Sequence, residues 1–78
     1  MFFVYALKSV SKNYIYVGLT SDLQSRIERH NRGYERTTKP YAPFRLIHSE
    51  SFPDRISARR REKFLKSGQG KDYLRKLL

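Results

Sequence analysis

Seventy-eight residues suffice for one domain, expected over 1–78, and leave no room for a second core. The absence of cysteine excludes a disulfide framework, a Cys-zinc site and thiol catalysis, and is compatible with a cytoplasmic location. Seventeen Lys and Arg against seven Asp and Glu give a net charge of +10 at pH 7, an excess that attracts polyanions, nucleic acid being the commonest of them.

The apolar run Met1 to Leu7 is too short to span a membrane and lacks the charged leader of a signal peptide. Phe2 to Ser9, rich in aromatic and β-branched residues, reads as a strand, and Ser11-Lys12-Asn13 as a turn. Tyr14 to Thr20 reads as a second strand, closing a hairpin. Ser21 is placed as a helix N-cap with Gln24 completing a capping box; the helix runs to about Asn31, and Gly33 is its C-terminal stop. Arg32 to Pro43 is a polar loop. Phe44 to Glu50 is a third strand. Pro53 and Asp54 start a second helix that continues to about Lys66. Gly68 and Gly70 break it, and Lys71 to Leu78 forms a short terminal helix with Leu74, Leu77 and Leu78 on one face. The order β-β-α-β-α-α predicts an α+β fold, a three-stranded antiparallel sheet flanked by helices.

Polar residues interrupt both helical stripes. Leu23, Arg26, Ile27 and His30 fall at i, i+3, i+4 and i+7, on the face that should meet the core. Arg26 cannot lose its proton, so a semi-buried guanidinium there needs an anion. Ala58, Glu62 and Leu65 form the corresponding stripe of the second helix, with a carboxylate inside it. An Arg26–Glu62 ion pair, or a local Glu62–Lys66 pair at i+4, explains these residues as well as a functional site does. In the hairpin, a two-residue turn with Val10 opposite Asn13 sets Leu7 against Tyr16 and Tyr5 against Gly18, so both tyrosines project from one side of the sheet. Gly18 leaves space beside Tyr5 for a ring or a ligand. Two ordinary strand tyrosines under a helix would look the same. The run Arg59-Arg60-Arg61 with Lys66 fits a footprint on phosphate, a solvated helix face, or a basic helix resting on an anionic membrane.

Phe3-Val4-Tyr5, Tyr16-Val17-Gly18, Arg26 ten residues after the second tyrosine, and Glu62 on a later helix together resemble the GIY-YIG nuclease family, above all its small stand-alone members, which are similar to the nuclease module of the excinuclease C subunit. The likeness spans nearly the whole chain. It includes Asp22 to Asn31 with Gly33, Thr38-Lys39, Pro43 to Leu46, Ala58 to Glu62, and Lys66. It implies a metal-dependent endonuclease that hydrolyses phosphodiester bonds in nucleic acid, DNA favoured over RNA, in a repair or recombination context.

Under that resemblance Glu62 holds a single divalent ion, Mg²⁺ or Mn²⁺, whose shell is completed by water and phosphate oxygens. Tyr16 activates the attacking water. A phenol is a poor base at neutral pH, and positive charge nearby makes the role workable. Arg26 forks onto the scissile phosphate, Tyr5 hydrogen-bonds to the water or to Tyr16, and His30 assists proton transfer or orients its neighbours. Lys39, Arg59, Arg60, Arg61 and Lys66 bind the flanking backbone. The chain departs from the family pattern at Phe3, where the first motif has Gly, and at Leu19, where some relatives carry Lys. A protein partner supplying specificity is expected, since relatives often take it from a second domain. A non-catalytic nucleic-acid-binding module on the same fold is the alternative.

Overall fold

The computed structural model describes all residues, Met1–Leu78. Strands β1 (Phe2–Ser9) and β2 (Ile15–Thr20) lead into helix α1 (Leu23–Asn31), followed by a 3₁₀ turn at Lys39–Tyr41, strand β3 (Phe44–Phe52), and helices α2 (Arg55–Lys66) and α3 (Gly68–Arg75). The sheet is antiparallel in the order β2-β1-β3. The fold is therefore α+β with the order β-β-α-β-α-α expected from the sequence.

The register of β1 on β2 is also the expected one, with Tyr5 opposite Gly18 and Leu7 opposite Tyr16. The connection differs from a tight two-residue turn. Val10 donates its amide to Pro43 (3.0 Å) rather than closing on Asn13. Ser9 is fully buried; its hydroxyl accepts from the Lys12 amide (3.1 Å) and donates to the Tyr41 carbonyl (2.7 Å). The hairpin tip is thus tied to the loop before β3.

Because β1 is central and its side chains alternate, it builds two different cores. Val4 and Ala6 point to one face and pack with Ile15, Val17, Ala58, Leu65 and Leu74, under α2 and α3. Tyr5 and Leu7 point to the other and pack with Phe44, Tyr14, Tyr16, Leu23 and Ile27, under α1. A register shift between Ala6 and Leu7 puts one extra residue into β3, which keeps Phe44 on the tyrosine face and His48 and Glu50 on the other.

The helix ends show two departures from expectation and one stop where it was expected, at Gly33. Asp22, not Ser21, caps α1, accepting from the Ser25 amide at 3.2 Å. The Thr20 hydroxyl accepts the Asp22 amide (3.1 Å), which orders the residue after Ser21 for the capping role. At the other end Gly33 adopts φ 75°, and the amides of Gly33 and Tyr34 bond back to the carbonyls of His30 and Arg29, a Schellman stop that needs the left-handed residue. The second departure is α3, which begins at Gly68 with Ser67 as its cap. Gly70 does not break a helix; a Cβ there would lie 2.1 Å from the Phe64 carbonyl oxygen and 2.4 Å from Leu65 Cα, so α3 packs onto the end of α2 only without a side chain at that position. Leu74 is buried, but Leu77 and Leu78 lie beyond the helix and are exposed. The Lys71 ammonium donates to the Ile15 carbonyl on β2 at 2.8 Å, joining the last helix to the edge of the sheet.

Candidate active site

The tyrosine face carries the polar chemistry. The Tyr5 ring runs across Gly18, where a Cβ would come within 2.5 Å of its hydroxyl and 2.9 Å of Tyr16 Cε2. Glycine at 18 is therefore required by close approach. Above it, His30 is brought down by the last turn of α1 and is fully buried. Its Nε2 lies 3.1 Å from the Tyr5 hydroxyl and its Nδ1 2.9 Å from the hydroxyl of Thr38. The His30 ring centre is 4.7 Å from that of Tyr16, and the two tyrosine rings are 6.2 Å apart. Tyr16 is only half-buried, so the cluster opens to solvent on its side.

Arg26 lies on the same helix one turn earlier and remains partly exposed. It does not pair with Glu62. Its Nη1 donates to Glu35 Oε1 at 3.0 Å, and Arg29 Nε donates to the same oxygen at 2.9 Å. Hydrogen bonding from Arg29 holds the Glu35 carboxyl below the ordinary range. A polar groove of about 250 Å³, lined by Thr20, Asp22, Ser25, Arg26 and Arg29, lies where β2 turns into α1. A larger cleft of about 380 Å³ between α1 and β3 is lined by Leu23, Gln24, Ile27, Glu28 and Leu46; it touches neither tyrosine.

Glu62 comes from α2, on the opposite side of the sheet from the tyrosine core. Its side chain is 12% exposed and bonds with Lys66 at 3.2 Å, with Arg59 at 4.0 Å. This is the local pair expected at i+4. No hydrogen bond or ion pair joins the Glu62 carboxylate to Tyr5, Tyr16, Arg26 or His30. Burial pushes the Tyr5 hydroxyl far above an ordinary phenol; Tyr16, Glu35 and Glu62 push the same way, and Arg26 opposes them. Hydrogen bonds join β1, α1 and the following loop, from Tyr5 to His30 to Thr38 and from Arg26 to Glu35. Burial likewise lowers the pKa of His30, with Arg26 and Arg29 adding to the effect against Glu35; the imidazole is held neutral. No three His, Asp or Glu side chains cluster as a cage for a metal ion. A single carboxylate, Glu62, paired with Lys66, would serve a hard cation only with water and phosphate oxygens completing its shell.

The outer basic residues divide. Lys39 is exposed and its stem lies against Gly33; Arg59, Arg60 and Lys66 are exposed on α2. Arg61 turns the other way. Its Nε donates to Glu50 at 2.8 Å, and its guanidinium lies 5.1 Å from the Phe64 ring centre and 5.8 Å from that of Tyr73. His48 completes this second network, 2.7 Å from the same Glu50 oxygen. The helical turn that presents Arg59 and Arg60 to solvent carries Arg61 onto the sheet. Glu35 and Thr38 touch Arg26 and His30; the sequence marks Thr38 only as part of the family likeness, without a role, and does not mark Glu35. Both sit in the polar loop, where no periodic pattern marks an inward side chain.

A hairpin presenting two tyrosines, an arginine on the following helix and a glutamate on a later one define a small nuclease-type α+β domain. The chain belongs to the GIY-YIG family: the model of the GIY-YIG catalytic domain matches residues 1–75. It is 35% identical over 66 residues to UPF0213 proteins of Staphylococcus aureus strains Mu50 and N315, covering 83% of this chain and 79% of each relative. It is also similar to the solution NMR structure of the UPF0213 protein BH0048 from Bacillus halodurans, with 33% identity, a TM-score of 0.58, and coverage of 99% of this chain and 85% of that one.

Proposed function

We propose that this chain is a metal-dependent endonuclease that hydrolyses phosphodiester bonds in nucleic acid, with DNA as the favoured substrate. The family is a nuclease family, and the observation that carries the finer reading is the cluster at Gly18. Tyr5, Tyr16 and His30 are packed ring against ring there, with Arg26 one turn earlier on the helix that carries His30.

Tyr16, the more open of the two tyrosines, takes the proton of the attacking water. Tyr5 is held neutral by burial and serves as a hydrogen-bonding partner rather than a base. Arg26 presents the rest of its guanidinium to the scissile phosphate while Glu35 holds one edge. Glu62 is the residue that would hold one divalent ion, Mg²⁺ or Mn²⁺. Once bound, the ion supplies charge neutralisation at the phosphate and the departing oxygen. Lys39, Arg59, Arg60 and Lys66 contact the flanking backbone, where they add affinity without sequence information. Arg61, engaged with Glu50, is left out of that surface. A protein partner adding target specificity fits a domain this small.

The Arg26–Glu35 pair favours a second reading, a nucleic-acid-binding module that keeps the fold without cutting. One experiment separates the two. Purified protein with Mg²⁺ or Mn²⁺ should cleave DNA, and Glu62→Gln should abolish cleavage while leaving binding intact. Equal background activity in both proteins would refute the catalytic reading.

A further inference from the structure

Three protons in the buried polar chain of the tyrosine face have few places to go. The Tyr5 hydroxyl is fully buried and has one hydrogen-bonding partner, His30 Nε2. The imidazole's other nitrogen faces the Thr38 hydroxyl, which is itself fully buried and lies 3.4 Å from the Glu35 carbonyl oxygen. A carbonyl only accepts. If Thr38 donates to Glu35, its oxygen accepts from Nδ1–H, Nε2 is left as a lone pair, and Tyr5 donates to it. Every proton then has an acceptor. The reverse arrangement, with Nε2–H donating to Tyr5 and Thr38 donating to Nδ1, strands the Tyr5 proton in a buried site with no acceptor, which is costly. Burial keeps the ring neutral, so the choice is between these two tautomers.

We infer that Thr38 is a positioning residue: it fixes His30 in the Nδ1-protonated tautomer and commits the Tyr5 proton inward to Nε2, so that Tyr5 is withheld as a proton donor from Tyr16 and the open side of the site. Its catalytic consequence rests on the nuclease reading; the tautomer itself does not. The arrangement follows the way an outer partner on one imidazole nitrogen sets what the other can do. It also gives the polar loop after α1 a part in the site, through a threonine that touches no substrate.

The test is a long-range ¹H–¹⁵N correlation spectrum of the uniformly labelled protein at neutral pH. His30 should show a protonated Nδ1 and an unprotonated Nε2. In Thr38→Val, which removes the acceptor at nearly constant volume, His30 should move to the other tautomer or to a mixture, and Thr38→Ser should restore the wild-type pattern. Cleavage by Thr38→Val should fall about tenfold in kcat with KM unchanged, again rescued by Ser. A protonated Nε2 in the wild type, or an unchanged tautomer in Thr38→Val, overturns the assignment. A switched tautomer with unaltered cleavage overturns its link to the reaction. If Thr38→Val does not fold, the wild-type and Thr38→Ser spectra decide. Absence of cleavage by the wild type with the expected tautomer would remove the nuclease reading and leave this inference standing.

Discussion

The two faces of the sheet share the same three strands and are built for different ends. Under α2 and α3 the core is aliphatic, with Val4, Ala6, Ala58, Leu65 and Leu74 all fully buried. Under α1 the buried side chains include a phenol, an imidazole and a threonine hydroxyl. Burying such groups stabilises little even when every hydrogen bond is made, and costs heavily when one is missing. The aliphatic face can therefore carry the stability that lets the opposite face hold polar groups in fixed positions. Alternation along one strand is what separates the two tasks: Val4 and Ala6 serve one, Tyr5 the other.

Mutations on the two faces should behave in opposite ways. Tyr16→Phe should lower cleavage about 10²–10⁴-fold with a thermal midpoint close to the wild type's; a large drop in midpoint would show that the hydroxyl serves packing. Leu65→Ala should cost about 2–5 kcal/mol in urea unfolding, while the folded fraction keeps its kcat. Gly18→Ala lies where the comparison is sharpest, since a methyl there meets both tyrosines. We expect about 1–3 kcal/mol of destabilisation together with a loss of cleavage larger than the unfolded fraction explains.

Smaller effects probe the charges. Glu35→Gln frees Arg26 and Arg29 and should tighten DNA binding a few-fold, with the salt dependence of log K steeper by about one unit; unchanged affinity would mean that Glu35 orients Arg26 without competing with phosphate. The smallest is a pH effect. His30 has a lowered pKa in the fold, so below about 6.5 the unfolded chain binds the proton more readily and stability falls as pH falls. His30→Gln should remove that part of the loss between pH 7.5 and 5.5, measured by urea midpoints. The part below it should remain. Glu35 is held low chiefly by Arg29. At Glu50 burial works upward, but hydrogen bonds from His48 and Arg61 outweigh it. Both carboxylates contribute stability that disappears only on further acidification.

Local patterns made much of this legible. Alternation on either side of Ser11-Lys12-Asn13 gave the β1–β2 register to the residue although the tight turn does not close, and the bounds of α2 followed from Asp54 and the apolar stripe. His30 and Glu62 stood out because they occupy core positions on amphipathic helices, and the structure buries both. The likeness to the nuclease family supplied the roles that spacing alone left open. What stayed hidden depends on contacts between distant segments. The Gly68–Gly70 stretch looks like a helix breaker, yet Gly70 is needed for the approach of α3 to α2. Arg61 cannot be told from Arg59 and Arg60 until Glu50 is placed across from it. Glu35 and Thr38 acquire their parts only when the loop folds back under α1.

The Lys71 contact with Ile15 has a consequence for solubility. β2 borders the sheet, and a bordering strand is a template onto which another chain can add. An ammonium buried enough to have its pKa lowered, chiefly by desolvation, is bonded to a carbonyl of that strand and acts as a gatekeeper. Peeling α3 away would uncover both the aliphatic core and this margin together, so a chain damaged in its last helix should form intermolecular aggregates before it loses the hairpin that bears its tyrosines.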